Sequence, residues 1–154
     1  MNILGENGLS GIVKRVLDLI FFGGIGLFIS LPISVKWYLK IVDGITADST
    51  YLLLLGLLIF TGFFALMIVN EMRKIFQTLN RRDPFMMDNV SSLNRIAFSS
   101  FLISFFYILK MIFLNSFFTV IITMVFIIAG FFTVILAEVF RQAVIVKEEN
   151  DLTI

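Results

Sequence analysis

Two carboxylates, Asp18 and Glu138, lie at the edges of long apolar runs and are the residues best placed for acid–base or ion chemistry. An ionisable side chain beside hydrocarbon is costly, so it marks an ion pathway, a proton relay or an ion pair. Arg15, Arg73 and Arg141 fall close to the same edges. We therefore favour interfacial ion pairs for Asp18, Glu138 and Arg141, with a proton or ion site as the alternative.

Other catalytic chemistry has little support, because the chain contains no Cys and no His. This removes thiolate nucleophiles, imidazole acid–base catalysis, disulfides and most zinc and haem sites. Ser and Thr hydroxyls remain, but no base is placed to activate one. We expect no catalytic residue, no metal site and no cofactor, and a protein that is not an enzyme.

The composition indicates a lipid environment. Hydrophobic residues make up 59% of the 154 residues and charged residues 15%, whereas soluble proteins have about 25% charged residues. So few charges cannot cover the large water-facing surface of a soluble domain of this length. The net charge of +1 also offers no basic face for direct nucleic-acid binding.

Four apolar runs are long enough to cross a bilayer, which takes about 20 residues of helix. The runs cover about residues 16–35, 51–69, 96–114 and 117–137. Only Asn115 and Ser116 separate the last two, so these helices must form a tight antiparallel hairpin. The sequence predicts one all-α transmembrane domain over residues 1–154, an integral membrane four-helix bundle.

The basic residues indicate the orientation, because cytoplasmic loops accumulate Lys and Arg. With the N-terminus inside, only Lys36, Lys40 and Lys110 of the twelve basic residues would lie outside. We therefore expect both termini in the cytoplasm. Lys110 lies near the outer end of its helix, where its side chain can extend to the lipid headgroups.

Apolar stripes continue past the spans, into the connector 70–95 and the tail 138–154. The stripes are Met72, Ile75, Phe76 and Leu79 after the second span, Val90, Leu93 and Ala97 before the third, and Ala137, Phe140 and Val144 after the fourth. Their helical spacing predicts that helices 2, 3 and 4 extend into a short cytoplasmic helical layer. Pro84 ends the second helix, and Asp88 or Asn89 can cap the third.

Close packing within the bilayer is expected at Gly23, Gly24 and Gly26, since small residues let helix backbones approach one another. The acidic tail allows two interpretations. It is either a solvated helix end, or it folds back so that Leu152 and Ile154 dock on the layer or on a partner.

Several stretches at the connector and at the tail resemble a known family. They are residues 75–79, 83–85, 89–90 and 93–97 near the connector, and residues 137–143 and 147–154 near the tail. They resemble the small four-helix bacterial membrane proteins of domain-of-unknown-function family 2975. Arg82 and Asp83 stand before Pro84-Phe85, where a glycine is expected in many members. The resemblance implies a bacterial cytoplasmic membrane, no established activity, and a neighbouring gene for a small helix-turn-helix transcriptional regulator.

Our first hypothesis is therefore a non-enzymatic membrane partner of such a regulator. The expected partner-binding residues are Met72, Phe76, Arg81, Arg82, Phe85, Phe140, Glu148, Glu149, Leu152 and Ile154. The alternatives are an immunity protein against a membrane-active peptide or toxin, and a small transporter or channel subunit that depends on Asp18 and Glu138. A pathway rarely fits within four spans alone, so a homo-oligomer is left open.

Overall fold

The computed structural model describes residues 8–43, 48–81, 83–113 and 116–152. These residues form four long helices, α1 Leu9–Tyr38, α2 Asp48–Asn80, α3 Met87–Phe113 and α4 Phe117–Leu152. A π-helical turn, Leu39–Asp43, follows α1. The described residues contain no strand. The prediction of an all-α four-helix bundle is confirmed.

Each helix is long and apolar enough to cross a membrane. The helices contain 30, 33, 27 and 36 residues, against the about 20 that a bilayer requires. Large apolar side chains cover their outer surfaces, among them Ile33 and Phe117. Such a surface is stable in lipid and not in water. The chain is therefore a multi-pass membrane protein.

The helices alternate in direction, and each one packs mainly on the next in the chain. Lys110 near the end of α3 contacts Thr119 near the start of α4. Lys147 near the end of α4 contacts Asp83 between α2 and α3. We call the end that holds the α2–α3 connection the connector end. The end that holds the α1–α2 and α3–α4 connections is the hairpin end.

An apolar cluster joins α2, α3 and α4 at the connector end. Its buried members are Ile75, Val90, Leu93, Ile96, Ala137 and Val144, with Met72, Leu79 and Phe140 packed against them. The predicted stripes therefore bury one another, and the extension of the three helices beyond their apolar spans is confirmed. Phe76 is half-buried and lies outside this cluster.

The connection between α2 and α3 differs from the predicted capping. Helix α3 begins at Met87, so Asp88 and Asn89 lie in its first turn and neither is the cap. The Asn89 side chain instead donates hydrogen bonds to the Pro84 carbonyl at 2.6 Å and to the Thr78 hydroxyl at 2.7 Å. Asn89 is buried, so this one amide fastens the end of α2 to the start of α3.

Small and hydroxyl side chains are buried along α3 and α4. Ser99, Ser100 and Ser104 of α3 and Thr119, Thr123, Gly130 and Thr133 of α4 are buried. Ser100 and Thr123 satisfy their hydroxyls by donating to carbonyls one turn back, at 2.9 and 2.8 Å. Small side chains of this kind allow close helix approach in membranes. The sequence did not predict the burial of these hydroxyl side chains.

The α1–α2 contact uses one of the three predicted glycines. A Cβ atom on Gly24 would lie 2.9 Å from a Leu66 methyl group, and one on Gly62 would lie 3.0 Å from the Phe28 ring. At Gly23 and Gly26 no side chain or neighbouring helix of the described residues lies within 4 Å of that position. Close packing is therefore confirmed at Gly24 and wrong at the other two.

Candidate functional site

An ion pair connects α1 to α2 where their apolar spans end. Arg73 Nε donates to Asp18 Oδ1 at 2.5 Å, and both side chains are partly buried. The guanidinium also lies 4.4 Å from the centroid of the Phe21 ring, a favourable arrangement for a cation beside an aromatic face. The structure thus places Asp18 in an interfacial ion pair.

Glu138 and Arg141 pair within α4. Arg141 Nε lies 3.0 Å from Glu138 Oε2, and the Gln142 amide donates to Oε1 at 3.3 Å. Both charged side chains are about half exposed, so this pair contributes little to stability. The two acids on which a transport pathway would depend are each bound by an arginine.

Glu71, which sequence analysis did not single out, is the buried carboxylate of the connector end. Its side chain is 4% exposed, and Oε1 accepts hydrogen bonds from Lys74 at 2.6 Å and Arg95 at 3.4 Å. Its Oε2 atom has no hydrogen-bond partner. Glu71 and Lys74 are one helical turn apart just beyond the second span, and this spacing could have indicated the ion pair between them.

The electrostatics of Glu71 follow from these neighbours. Burial acts to raise the pKa of the Glu71 carboxyl. The hydrogen bonds from Lys74 and Ser92, together with the charges of Lys74 and Arg95, outweigh burial and lower the pKa below its ordinary value. Glu71 therefore holds α2 and α3 together as a charged group beyond the end of the apolar span.

A polar pocket lies beside this carboxylate, between the end of α2 and the start of α3. Its volume is about 370 Å³, and its charged lining residues are Lys74, Arg81, Asp88 and Arg95. Three cations face one acid there, so the pocket has an electropositive lining.

The predicted partner-binding residues fall into two groups. Phe85 and Phe140 meet at the connector end with ring centroids 5.7 Å apart, and Met72 packs against the nearby apolar cluster. Phe85 is 42% exposed, and Arg81 is exposed beside the connector. We call Phe85 and Phe140 the aromatic patch.

The second group lies on the end of α4. Every residue from 145 to 152 is exposed, among them Glu148, Glu149 and Leu152. Leu152 is 87% exposed, so of the two interpretations the structure has the exposed helix end, and Leu152 does not dock on the layer. Val144 is the last buried residue of α4, and the helix continues from there to Leu152. Arg82 and Ile154 lie outside the described residues.

Lys110 also differs from expectation. Its Nζ donates to the Thr119 hydroxyl at 2.9 Å, and the side chain is half-buried between α3 and α4. It lines a cavity between the helices instead of extending away from the bundle. Within the described residues, no group of three acidic side chains is arranged to hold a metal ion.

Four alternating apolar helices define a multi-pass α-helical membrane protein, in which an apolar cluster joins α2, α3 and α4 and an ion pair joins α1 to α2. Residues 34–154 match the family described as "Protein of unknown function (DUF2975)", and the chain belongs to this family. The resemblance seen in the connector and tail is thereby confirmed. Neither the curated proteins nor the solved structures contain a match to the chain.

Proposed function

We propose that this chain is a non-enzymatic membrane protein of the bacterial cytoplasmic membrane that binds a soluble partner at its connector end. The partner that we propose is a small helix-turn-helix transcriptional regulator. The observation that carries the proposal is the exposed aromatic patch beside the projecting acidic end of α4.

Charge supports a cytoplasmic connector end and cytoplasmic termini. The described basic residues near this end are Lys14, Arg15, Arg73, Lys74, Arg81, Arg95, Arg141 and Lys147. Lys36, Lys40 and Lys110 lie toward the hairpin end. Lys and Arg are retained on the cytoplasmic side during membrane insertion. The connector end is then the surface that a cytosolic protein would meet.

The aromatic patch has the character of a binding surface. Phe85 lies in the connector, beyond the apolar spans, and yet is 42% exposed. Exposed aromatic groups outside the lipid favour protein contact, where they often contribute much of the binding energy. The neighbouring Met87, 48% exposed, extends the apolar area.

The end of α4 adds charge to this surface. Glu148, Glu149 and Asp151 are exposed there, while the cation Lys147 is paired with Asp83. The helix runs about 12 Å past Val144, at about 1.5 Å per residue. A DNA-binding protein carries the complementary basic surface, because it must neutralise phosphates. Binding of that surface to α4 would hold the regulator at the membrane and away from DNA.

Two further observations support a binding role over transport or catalysis. Asp18 and Glu138 are engaged by Arg73 and Arg141, which favours structural ion pairs. The chain also lacks Cys and His, the side chains most often used as nucleophile and general base at neutral pH.

Co-purification of the detergent-solubilised full chain with a helix-turn-helix regulator expressed from a neighbouring gene tests the proposal. Phe85→Ser, and separately the combined change Glu148→Lys, Glu149→Lys and Asp151→Lys, should each weaken binding about tenfold or more. The matched controls are Phe113→Ser and Lys40→Glu at the hairpin end, which should bind like the unchanged chain. No binding by the unchanged chain, or equal binding by all variants, would contradict the proposal.

A further inference from the structure

A cavity of about 840 Å³ lies between the helices at the hairpin end. Sites for small molecules usually measure about 300–1,000 Å³. All four helices contribute to its wall, for example Val35 of α1, Leu57 of α2, Tyr107 of α3 and Ile122 of α4. The cavity lies between the helices and is partly open, since Ile33, Trp37 and Phe118 of its lining are exposed.

The cavity continues toward the connector end as a narrower cleft of about 360 Å³. Leu31, Leu58 and Tyr107 line both spaces, so the two are adjacent, and we call them together the passage. Along α1 the lining extends from Ser34 to Ile20, about 20 Å of helix at about 1.5 Å per residue. This exceeds the about 15 Å that one leaflet contributes to a hydrocarbon core of about 30 Å. The passage is long enough for an acyl chain.

Lys110 is the one charged residue among the described side chains that line this passage. Its Nζ atom is fixed by the hydroxyl of Thr119 at 2.9 Å, and Thr119 is itself 2% exposed. No ion pair joins Lys110 to a carboxylate of the described residues. A half-buried ammonium group among apolar walls is stabilised when an anion approaches it.

We propose that the passage binds a single-chain anionic amphiphile, with its carboxylate or phosphate head on Lys110 Nζ and its acyl chain in the cleft. Ser116 lines the cavity, and its hydroxyl can donate to a remaining head oxygen. The apolar cleft toward Gly24 and Ala65 takes the chain. This proposal rests on the hairpin half of the bundle and is independent of the partner proposed for the connector end.

The single tryptophan of the chain, Trp37, lines the same cavity and provides the readout. A bromine-labelled acyl chain quenches tryptophan fluorescence only when it lies close to the indole ring. The probe is dibromostearate, titrated at low mole fraction into detergent micelles that contain the full chain. A dibromostearoyl lysophosphatidate titration distinguishes a phosphate head from a carboxylate head. Dibromostearyl alcohol, which carries no charge, reports partition into the micelle alone.

We expect saturable quenching by at least one of the two anions. Lys110→Met should raise the half-saturation concentration about tenfold, as loss of a partly desolvated charge pair does, whereas Lys110→Arg should restore most of the affinity. Lys36→Met is the matched control, because Lys36 lies over the Tyr51 ring at 5.3 Å and does not line the cavity. It should leave quenching by the anions unchanged.

A second variant tests the binding of the acyl chain and leaves the charge of Lys110 unchanged. Ala65→Leu narrows the cleft and should weaken dibromostearate binding while a short competitor, octanoate, still displaces the probe. Two results would overturn the proposal: quenching by the anions that is no stronger than quenching by the alcohol, or anion affinity that is unchanged in Lys110→Met. Size-exclusion elution like that of the unchanged chain shows that each variant is folded.

Discussion

Lys147 Nζ lies 2.8 Å from Asp83 Oδ1, so the end of α4 is held against the connection between α2 and α3. The Asp83 carboxylate accepts the hydrogen bond from Lys147 and raises the pKa of that amine. Val144, one turn before Lys147, is the last buried residue of α4. This pair therefore marks the point at which the helix leaves the bundle.

Loss of this pair should loosen the end of α4 and leave the spans unchanged. In Lys147→Met we expect faster amide hydrogen exchange over residues 144–152, and Lys147→Arg should retain the exchange rates of the unchanged chain. Both side chains of the pair are nearly half exposed, so high salt should produce the same local effect by screening. Exchange rates that do not respond to either treatment would show that apolar packing alone holds this end.

Gly130 of α4 should not tolerate a larger residue. A Cβ atom at this position would lie 2.8 Å from Cε1 of the Phe101 ring, and Phe101 also packs edge-on against Phe131 at 5.2 Å between centroids. Gly130→Ala should lower the free energy of unfolding in micelles by about 1–3 kcal/mol, the usual effect of overpacking.

The matched control for this change is Gly23→Ala, because no side chain or neighbouring helix of the described residues lies within 4 Å of the added Cβ there. It should be neutral or slightly stabilising, since Ala favours helix over Gly. Replacement of Phe101 by Leu in the Gly130→Ala background should recover part of the loss. Equal unfolding free energies for the two alanine variants would refute the close contact.

Glu71 should make stability depend on pH. Its pKa in the folded state is lowered, so its contribution is fully present above the ordinary value of 4.5 and is lost as the pH falls through the lowered folded-state value. Glu71→Gln should cost about 1.5–2 kcal/mol at neutral pH, the lower part of the range for hydrogen bonds to a charged group. The lower part applies because Lys74 and Arg95 remain half exposed to water.

The measurement for Glu71 is the difference in unfolding free energy between the unchanged chain and Glu71→Gln across pH 3 to 7, a range of about four units around the value at which carboxyls titrate. This difference should shrink toward the acid end. Glu148→Gln serves as the control, because Glu148 is exposed on the end of α4 and its removal should be neutral. If the difference in unfolding free energy between the unchanged chain and Glu71→Gln is constant with pH, the charge of Glu71 does not contribute to stability.

Much of the fold could be predicted from hydropathy and helical spacing. The apolar runs located the four helices, and the stripe of Ala137, Phe140 and Val144 predicted the packed cluster beyond the spans. Apolar runs and helical spacing are properties of one continuous segment of chain, so they can be recognised from a single sequence. The buried serines of α3 and threonines of α4 were missed, because such residues occur on exposed and buried helix faces alike.

The candidate site was less predictable, since it depends on which side chains meet across helices. Phe85 and Phe140 were selected separately, and only the fold shows that their rings meet. Glu71 was overlooked because its second cation, Arg95, is 24 residues away in the sequence. Lys110 was interpreted from its position near a helix end, whereas the direction of its side chain depends on Thr119 of the next helix.

The orientation of the bundle can be measured directly, because the chain contains no Cys that would react in the background. In right-side-out bacterial cells, a membrane-impermeant maleimide should label Lys40→Cys and leave Arg81→Cys unlabelled until the membrane is opened. Lys40 lies in the π-helical turn at the hairpin end, and Arg81 follows α2 at the connector end. The expected result follows from the excess of basic residues at the connector end, since Lys and Arg resist translocation. Labelling of both positions from outside would contradict four spans between alternating sides, and labelling of Arg81→Cys alone would invert the orientation on which the proposed cytosolic partner depends.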